Sequence, residues 1–234
     1  MIPEIGAFAA ALALALSLAQ GGMGLFFGRS EVRAATAGAF AQAAAIALAL
    51  AFVLLITLFL QSDFSVAVVA GNSHIDKPLI YKIAGAWGNH EGSMLLWCFV
   101  SALFGAVLSI TRGRQSLGLW ARAIGVQGLV TAGALIYTLF LSNPFARLEE
   151  APWIGAGLNP LLQDPAVAVH PPLLYLGYVG FSIVFALTTR VIACAPISMP
   201  SPWVTSTSRL CAWPRICGRA FWSTWICPVT KKKS

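Results

Sequence analysis

Five long apolar stretches constrain the fold of this chain more than any other feature. Each is roughly 18–24 residues long, the length at which an α-helix crosses the hydrocarbon of a bilayer. The stretches are rich in Ala and Leu with scattered Gly, and none alternates polar and apolar residues as a barrel strand does. The sequence therefore predicts an all-α, polytopic transmembrane helical bundle with spans near residues 5–27, 37–60, 93–110, 120–141 and 171–187.

The overall composition excludes a soluble protein. Hydrophobic residues make up 58% of the 234 residues and charged residues only 10%, whereas the wet surface of a soluble domain needs more charge. The lipid bilayer is thus the first partner of residues 1–187, which form the predicted membrane domain. We interpret the first span as a retained helix rather than a cleaved signal peptide, because no Lys or Arg precedes it and its apolar run is too long.

The charges between the spans predict an orientation. The connections after the first and third spans carry five arginines against one acid, Glu31, and positive connections stay on the cytoplasmic side; the arginines are Arg29, Arg33, Arg112, Arg114 and Arg122. The N-terminus and the long loops 61–92 and 142–170 are therefore expected outside. All three histidines, which are His74, His90 and His170, fall on that outer side.

Residues 188–234 form a tail of a different composition. No acidic residue follows Asp164, so the formal net charge of +7 arises from the C-terminal part of the chain. The tail is rich in Cys, Trp and Pro and shows neither a helical nor a strand period. We interpret it as an out-of-frame or disordered segment, because both the acids and the pattern stop abruptly. Its cysteines lack the CxxC spacing of a zinc site, and its charges are not set in a folded surface, so nucleic acid is not an expected partner.

Two short motifs have ordinary structural explanations. His90-Glu91 begins like a HExxH zinc site, but Met94 stands where the second histidine would be. Gly24 and Gly28 are spaced for a close contact between helices.

His170 is the residue most suggestive of binding. Pro171 and Pro172 suit the first turn of a helix, so His170 is expected just ahead of that helix, where the helix dipole disfavours the imidazolium form. A neutral imidazole can ligate a metal, although a histidine at an interface can also be merely solvated. Tyr175 and Tyr178 would form an aromatic wall or lie in the interfacial belt.

Two segments carry a resemblance to a known family. "YKIAGAWGNHEGSMLLW" (Tyr81 to Trp97) and "NPLLQDPAVAVHPPLLYLGYVGFS" (Asn159 to Ser182) resemble the CcmF family of cytochrome c-type biogenesis proteins, within the haem-handling superfamily that includes CcsA. The opening "MIPEIGAFAAALALALSLAQ" is similar to the start of that family. The resemblance covers roughly residues 1–187 and corresponds to the N-terminal portion of a full-length member.

The resemblance implies a function in cytochrome c maturation. The family handles haem and assists its covalent attachment to CxxCH motifs of apocytochrome c on the periplasmic side of the bacterial inner membrane. A haem-delivering chaperone and other maturation membrane proteins are its implied partners. The chain would be a component of a haem lyase, that is, of a cytochrome c synthase. The family's tryptophan-rich haem-presenting segment does not appear in the tail, so this chain alone is not expected to complete the attachment.

The resemblance also implies roles for individual residues. His170 matches the family's first periplasmic haem-ligand histidine and is the predicted axial ligand of haem iron. Trp87 and His90 are further candidates for haem contact, but their motif is also explained as a loop that leads into the third span with Ser93 as its helix cap.

Two other functions remain open. One is a structural membrane subunit that binds no haem, and the purified protein would then show no haem absorbance. A small-solute or proton transporter would need ionisable groups within its spans, which are almost bare of them.

Overall fold

The computed structural model describes residues 1–26, 30–111, 116–157 and 164–194. In this part of the chain there are seven helices and no strand; the helices are α1 (Ile2–Phe26), α2 (Glu31–Gln61), α3 (Ala67–Asn72), α4 (Leu79–Gly85), α5 (His90–Ile110), α6 (Leu117–Leu141) and α7 (Pro165–Cys194). Five of them, α1, α2, α5, α6 and the Ala168–Thr188 part of α7, are long and apolar enough to cross a membrane. The predicted helical, multi-pass membrane fold is confirmed.

A close crossing of α1 and α6 is built on glycines. A methyl group on Gly24 would lie 2.5 Å from the Ala121 carbonyl oxygen and 2.6 Å from the Gly125 Cα atom. Such contacts between backbones are a common basis of helix association in lipid, where apolar side chains gain little by leaving the hydrocarbon. Gly24 thus makes the predicted close contact between helices, and its partner is α6. Gly28 lies outside the described residues.

The centre of the bundle contains a polar layer. Gln127 of α6 is fully buried, and its Nε2 donates to the Ser101 carbonyl of α5 at 3.0 Å and to Ser182 Oγ of α7 at 2.9 Å. Ser101 Oγ lies 2.9 Å from Thr131 Oγ1, and Gln20 of α1 donates to the Ile124 carbonyl at 2.9 Å. These bonds connect four of the five long helices across the bundle.

The two long loops pair with each other at one end of the bundle, which we call the loop end. Val66 and Arg147 form an isolated antiparallel bridge, and the flanking Ala67 N–H donates to the Ala146 carbonyl at 2.9 Å. Further along, the Ala156 N–H donates to the Ala70 carbonyl at 2.8 Å. Arg147 also pairs with Glu4 at 2.6 Å, which places the N-terminus at this end. The predicted common side of the N-terminus and both loops therefore agrees with the structure, and the short helices α3 and α4 within the first loop were not predicted.

Several predictions fall outside the described residues. These are the positions of Arg29, Arg112 and Arg114 and the conformation of the tail after residue 194. Helix α7 continues to Cys194, beyond the predicted end of the fifth span at residue 187. The out-of-frame origin of the later residues stays a prediction.

Candidate functional site

The structure corrects the expected position of His170. Helix α7 begins at Pro165, so His170 lies in its second turn and Pro171 and Pro172 lie inside the helix. The predicted place of His170 just ahead of the helix is wrong, and with it the argument that the end of the helix dipole acts on its imidazole.

The physical reason is that an earlier pair of residues starts the helix. The Asp164 carboxylate accepts from the Ala166 N–H at 2.7 Å, and the Asp164 carbonyl accepts from the Ala168 N–H at 2.9 Å. Pro165 then occupies the first helical position, where its missing N–H removes no helical bond. The sequence therefore held two possible proline starts, and the one with a capping carboxylate is used.

His170 presents an exposed imidazole at the loop end. No hydrogen bond or ion pair joins its ring to another residue of the described part of the chain. On the same helix, Val169, Leu173 and Leu174 each expose about half or more of their surface. A nitrogen donor thus stands beside exposed apolar side chains.

Trp87 connects the two sequence motifs. Its indole N–H donates to the Ala168 carbonyl of α7 at 2.8 Å, and Ala168 is buried. Its ring stacks on Phe52 of α2 with centroids 6.4 Å apart. The indole is therefore held between α2 and the backbone of α7, two residues before His170.

His90 is engaged by a tyrosine that the sequence did not single out. His90 Nε2 lies 3.2 Å from the Tyr137 hydroxyl, and the two rings meet edge to face at 6.1 Å. Both side chains are partly or largely exposed. A tyrosine near the loop end of the fourth span was the available signal, but the pairing across α5 and α6 needed the fold.

The start of α5 also differs from the prediction, since Asn89 and not Ser93 caps it. The Asn89 side-chain oxygen accepts from the Gly92 N–H at 2.6 Å, whereas the Ser93 hydroxyl donates back to the Trp87 carbonyl at 2.8 Å. A methyl group on Gly92 would collide with the Ala86 carbonyl. The Trp-Gly-Asn-His-Glu-Gly-Ser motif is thus a self-bonded helix start that fixes Trp87 and His90 in place.

His74 and its neighbours bond to one another within the first loop. His74 Nδ1 lies 3.7 Å from the Asp76 carboxylate, and the Lys77 ammonium donates to the Asn72 carbonyl at 3.2 Å. Partial burial lowers the pKa of Lys77 to about 8, so this lysine loses part of its positive charge in mildly alkaline solution. These bonds stay within residues 72–77 and do not reach α7, where His170 lies.

Comparison with known proteins gives one consistent family. The family model described as cytochrome C assembly protein matches residues 87–227. The cytochrome c-type biogenesis protein CycK of Bradyrhizobium diazoefficiens is 52% identical over 134 residues, which cover 57% of this chain and 20% of that protein. The cytochrome c-type biogenesis protein CcmF of Escherichia coli is 41% identical over 162 residues, which cover 69% of this chain and 25% of that protein.

A solved structure is similar over most of the chain. The cytochrome c haem lyase CcmF superposes with a TM-score of 0.69 at 26% identity, covering 82% of this chain and 31% of that one. This chain therefore spans about a fifth to a third of the length of the relatives that it matches.

Proposed function

The chain belongs to the cytochrome c assembly protein family, and on this premise we propose that it takes part in c-type cytochrome biogenesis by holding haem at the outer face of the membrane. In this proposal it assists covalent attachment of haem to apocytochrome c as one component of a haem lyase. A haem-delivering chaperone and other maturation proteins of the bacterial inner membrane are the proposed partners.

The exposed imidazole of His170 at the loop end is the observation that carries this proposal. Haem, when bound, would supply an iron centre that a neutral imidazole nitrogen such as that of His170 can ligate. The ring of His170 is free of hydrogen bonds within the described residues, so that no intramolecular bond has to break before a metal binds. The residues present fit the group, since one nitrogen donor lies beside an apolar surface on the same helix.

The neighbouring residues have supporting roles in this proposal. Val169, Leu173 and Leu174 would contact the apolar face of the macrocycle, from which they exclude water. His90 already contacts the Tyr137 hydroxyl, so we assign it to the walls of the site rather than to the iron. Trp87 makes its polar contact with the backbone of α7, which leaves His170 as the principal ligand.

Haem titration of the full chain in lipid nanodiscs tests the proposal. His170→Ala should weaken haem affinity roughly tenfold or more, which corresponds to about 1.4 kcal/mol or more, and should change the Soret band. His74→Ala is the matched control and should leave both unchanged, because the contacts of His74 are with Asp76 and Lys77 in the first loop. Retention of the wild-type spectrum and affinity by His170→Ala would overturn the assignment. A chain that binds no haem at all would favour a structural subunit.

Cysteine labelling tests the orientation on which the proposal depends. We propose that the loop end faces outside, because the sequence places five arginines in and beside the connections after the first and third spans. An impermeant thiol reagent added from outside should label Asp76→Cys and Glu150→Cys but not Arg33→Cys in a background that lacks the native cysteines. Labelling of only the Arg33→Cys chain would invert the topology and remove His170 from the outer face.

A further inference from the structure

Helix α7 contains a gap in its backbone hydrogen bonds directly beside His170. In an α-helix the carbonyl of residue 168 accepts from the N–H of residue 172, but Pro172 has no N–H to donate. Ala168 is buried, and a buried carbonyl without a partner is costly, above all near hydrocarbon where water is scarce. The gap therefore has to be filled by a donor from outside the helix.

The indole N–H of Trp87 is that donor. It reaches the Ala168 carbonyl at 2.8 Å from a residue 81 positions earlier in the chain. The tryptophan is itself held from two directions, because its ring stacks on Phe52 and its carbonyl accepts from the Ser93 hydroxyl at 2.8 Å. Phe52 stacks in turn on Phe99 of α5, with centroids 6.1 Å apart. The bond thus attaches α7 to α2 and α5 through these stacked rings.

Besides this bond, the outer turns of α7 contact the core through the partly buried Tyr175. Among the described side chains of this helix, Ala168, Val179 and Ala186 alone are buried, and Ala168 is the one at the loop end. The bond from Gln127 reaches Ser182, which lies several turns further along. The direction and rotation of the segment that carries His170 therefore depend on the contact between Trp87 and Ala168 together with the packing of Tyr175.

We propose that Trp87 is a positioning residue for His170, acting through the carbonyl that Pro172 leaves without a helical partner. The indole bond fixes the loop end of α7, and with it the direction in which the imidazole is presented. The part of this inference that concerns haem rests on the function proposed above, whereas the part that concerns α7 does not. Pro172 and Trp87 act as a pair, because Pro172 lacks the N–H that would bond to the Ala168 carbonyl and the Trp87 indole supplies one.

A cycle of substitutions tests this pairing. Trp87→Phe keeps an aromatic ring on Phe52 but removes the N–H, and it should loosen the loop end of α7. Pro172→Ala restores an N–H within the helix, so the Ala168 carbonyl no longer needs the indole. The effect of Trp87→Phe should therefore be large in the natural chain and small in the chain that also carries Pro172→Ala.

The readout should be independent of haem. Nitroxide amino acids at the exposed positions Val169 on α7 and Ile46 on α2 allow the distance distribution between the two helices to be measured in nanodiscs. We expect Trp87→Phe to broaden and shift this distribution and Trp87→Phe with Pro172→Ala to return it close to that of Pro172→Ala alone. No change with Trp87→Phe, or an equal change in both backgrounds, would overturn the inference.

A second variant covers the possibility that Trp87→Phe fails to fold. Replacement of Trp87 by benzothienylalanine preserves the two-ring shape and removes only the donor, and it should give the same broadening. The haem spectrum is then recorded on the same variants without the nitroxide labels. If the distances respond as expected while His170→Ala leaves the haem spectrum unchanged, the proposed function fails and the attachment of α7 by Trp87 stands.

Discussion

Helices α1, α2, α5 and α6 differ from α7 in how much of each is buried, although all five are apolar enough to cross a membrane. Between 33% and 56% of the residues in the membrane-crossing windows of the first four are buried, against 11% for α7. The difference lies in the residue types at the contacts. The four-helix part packs through Ala and Gly, such as Ala13, Gly24 and Ala41, whereas α7 exposes Leu173, Phe181 and Phe185.

This comparison separates two properties that are easily confused in a membrane protein. Hydrophobicity decides whether a helix enters the bilayer, but it does not drive two helices together once both are surrounded by lipid. Small residues that allow backbones to approach, and polar side chains that bond across helices, decide the packing. Helix α7 is hydrophobic enough to enter the bilayer, but it has only a few small or polar residues that pack against the other helices.

The largest expected effect comes from the tight contact between α1 and α6. Gly24→Ala places a methyl group against the Ala121 carbonyl and the Gly125 backbone, which should destabilise the bundle by about 1–3 kcal/mol. Gly22→Ala is the matched control on the same helix, because a methyl group there meets no atom within 4 Å. Thermal unfolding in detergent measures both, and equal unfolding temperatures would mean that the contact between α1 and α6 is not tight.

The next largest effect concerns the attachment of α7 to the other four long helices. Gln127→Leu removes the bonds to Ser101 and Ser182, and it should cost about 1–2 kcal/mol and increase the accessibility of α7. Gln42→Leu removes a bond between α2 and Ser109 of α5 at 3.0 Å, so it should leave α7 unaffected. Protease cleavage near α7 compares the two variants. Similar cleavage in both would show that Gln127 holds the bundle in general rather than α7.

The smallest effect lies within α7 itself. Val179→Ala truncates a buried side chain and should cost about 1 kcal/mol, whereas Leu176→Ala truncates one that is half exposed and should cost close to nothing. Unfolding of the two variants in the same detergent checks this. A larger cost for Leu176→Ala would mean that another surface covers the exposed side of α7.

The sequence predicted the five long helices because their length and apolarity are sufficient to identify them. It did not predict α3 and α4, which have six and seven residues and are too short to show a period. The predicted starts of α5 and α7 differ from the observed starts for another reason. Asn89 and Ser93 both suit a helix cap, and Pro165 and Pro171 both suit the first turn of a helix. The local sequence therefore could not decide between the two starts of either helix.

The candidate site was predicted in part. His170, Trp87 and His90 were singled out, and the structure places all three at the loop end. The contacts of Trp87 with Ala168 and of His90 with Tyr137 join residues 81 and 47 positions apart, which no local pattern reveals. The first of these contacts supplies the Ala168 carbonyl with the donor that Pro172 lacks, whereas the helix start at Asp164 and Pro165 places His170 inside the helix.

The bond between Trp87 and Ala168 also has a consequence for the order of biosynthesis. A chain that grows by about 5–20 residues per second exposes the indole roughly 4–16 seconds before its acceptor has been made. Helix α5 is completed early in that interval, and water can solvate the indole N–H until α7 has been made. When α7 has been made, the Ala168 carbonyl replaces that water as the acceptor of the indole N–H. This exchange attaches α7 to the helices that were synthesised before it.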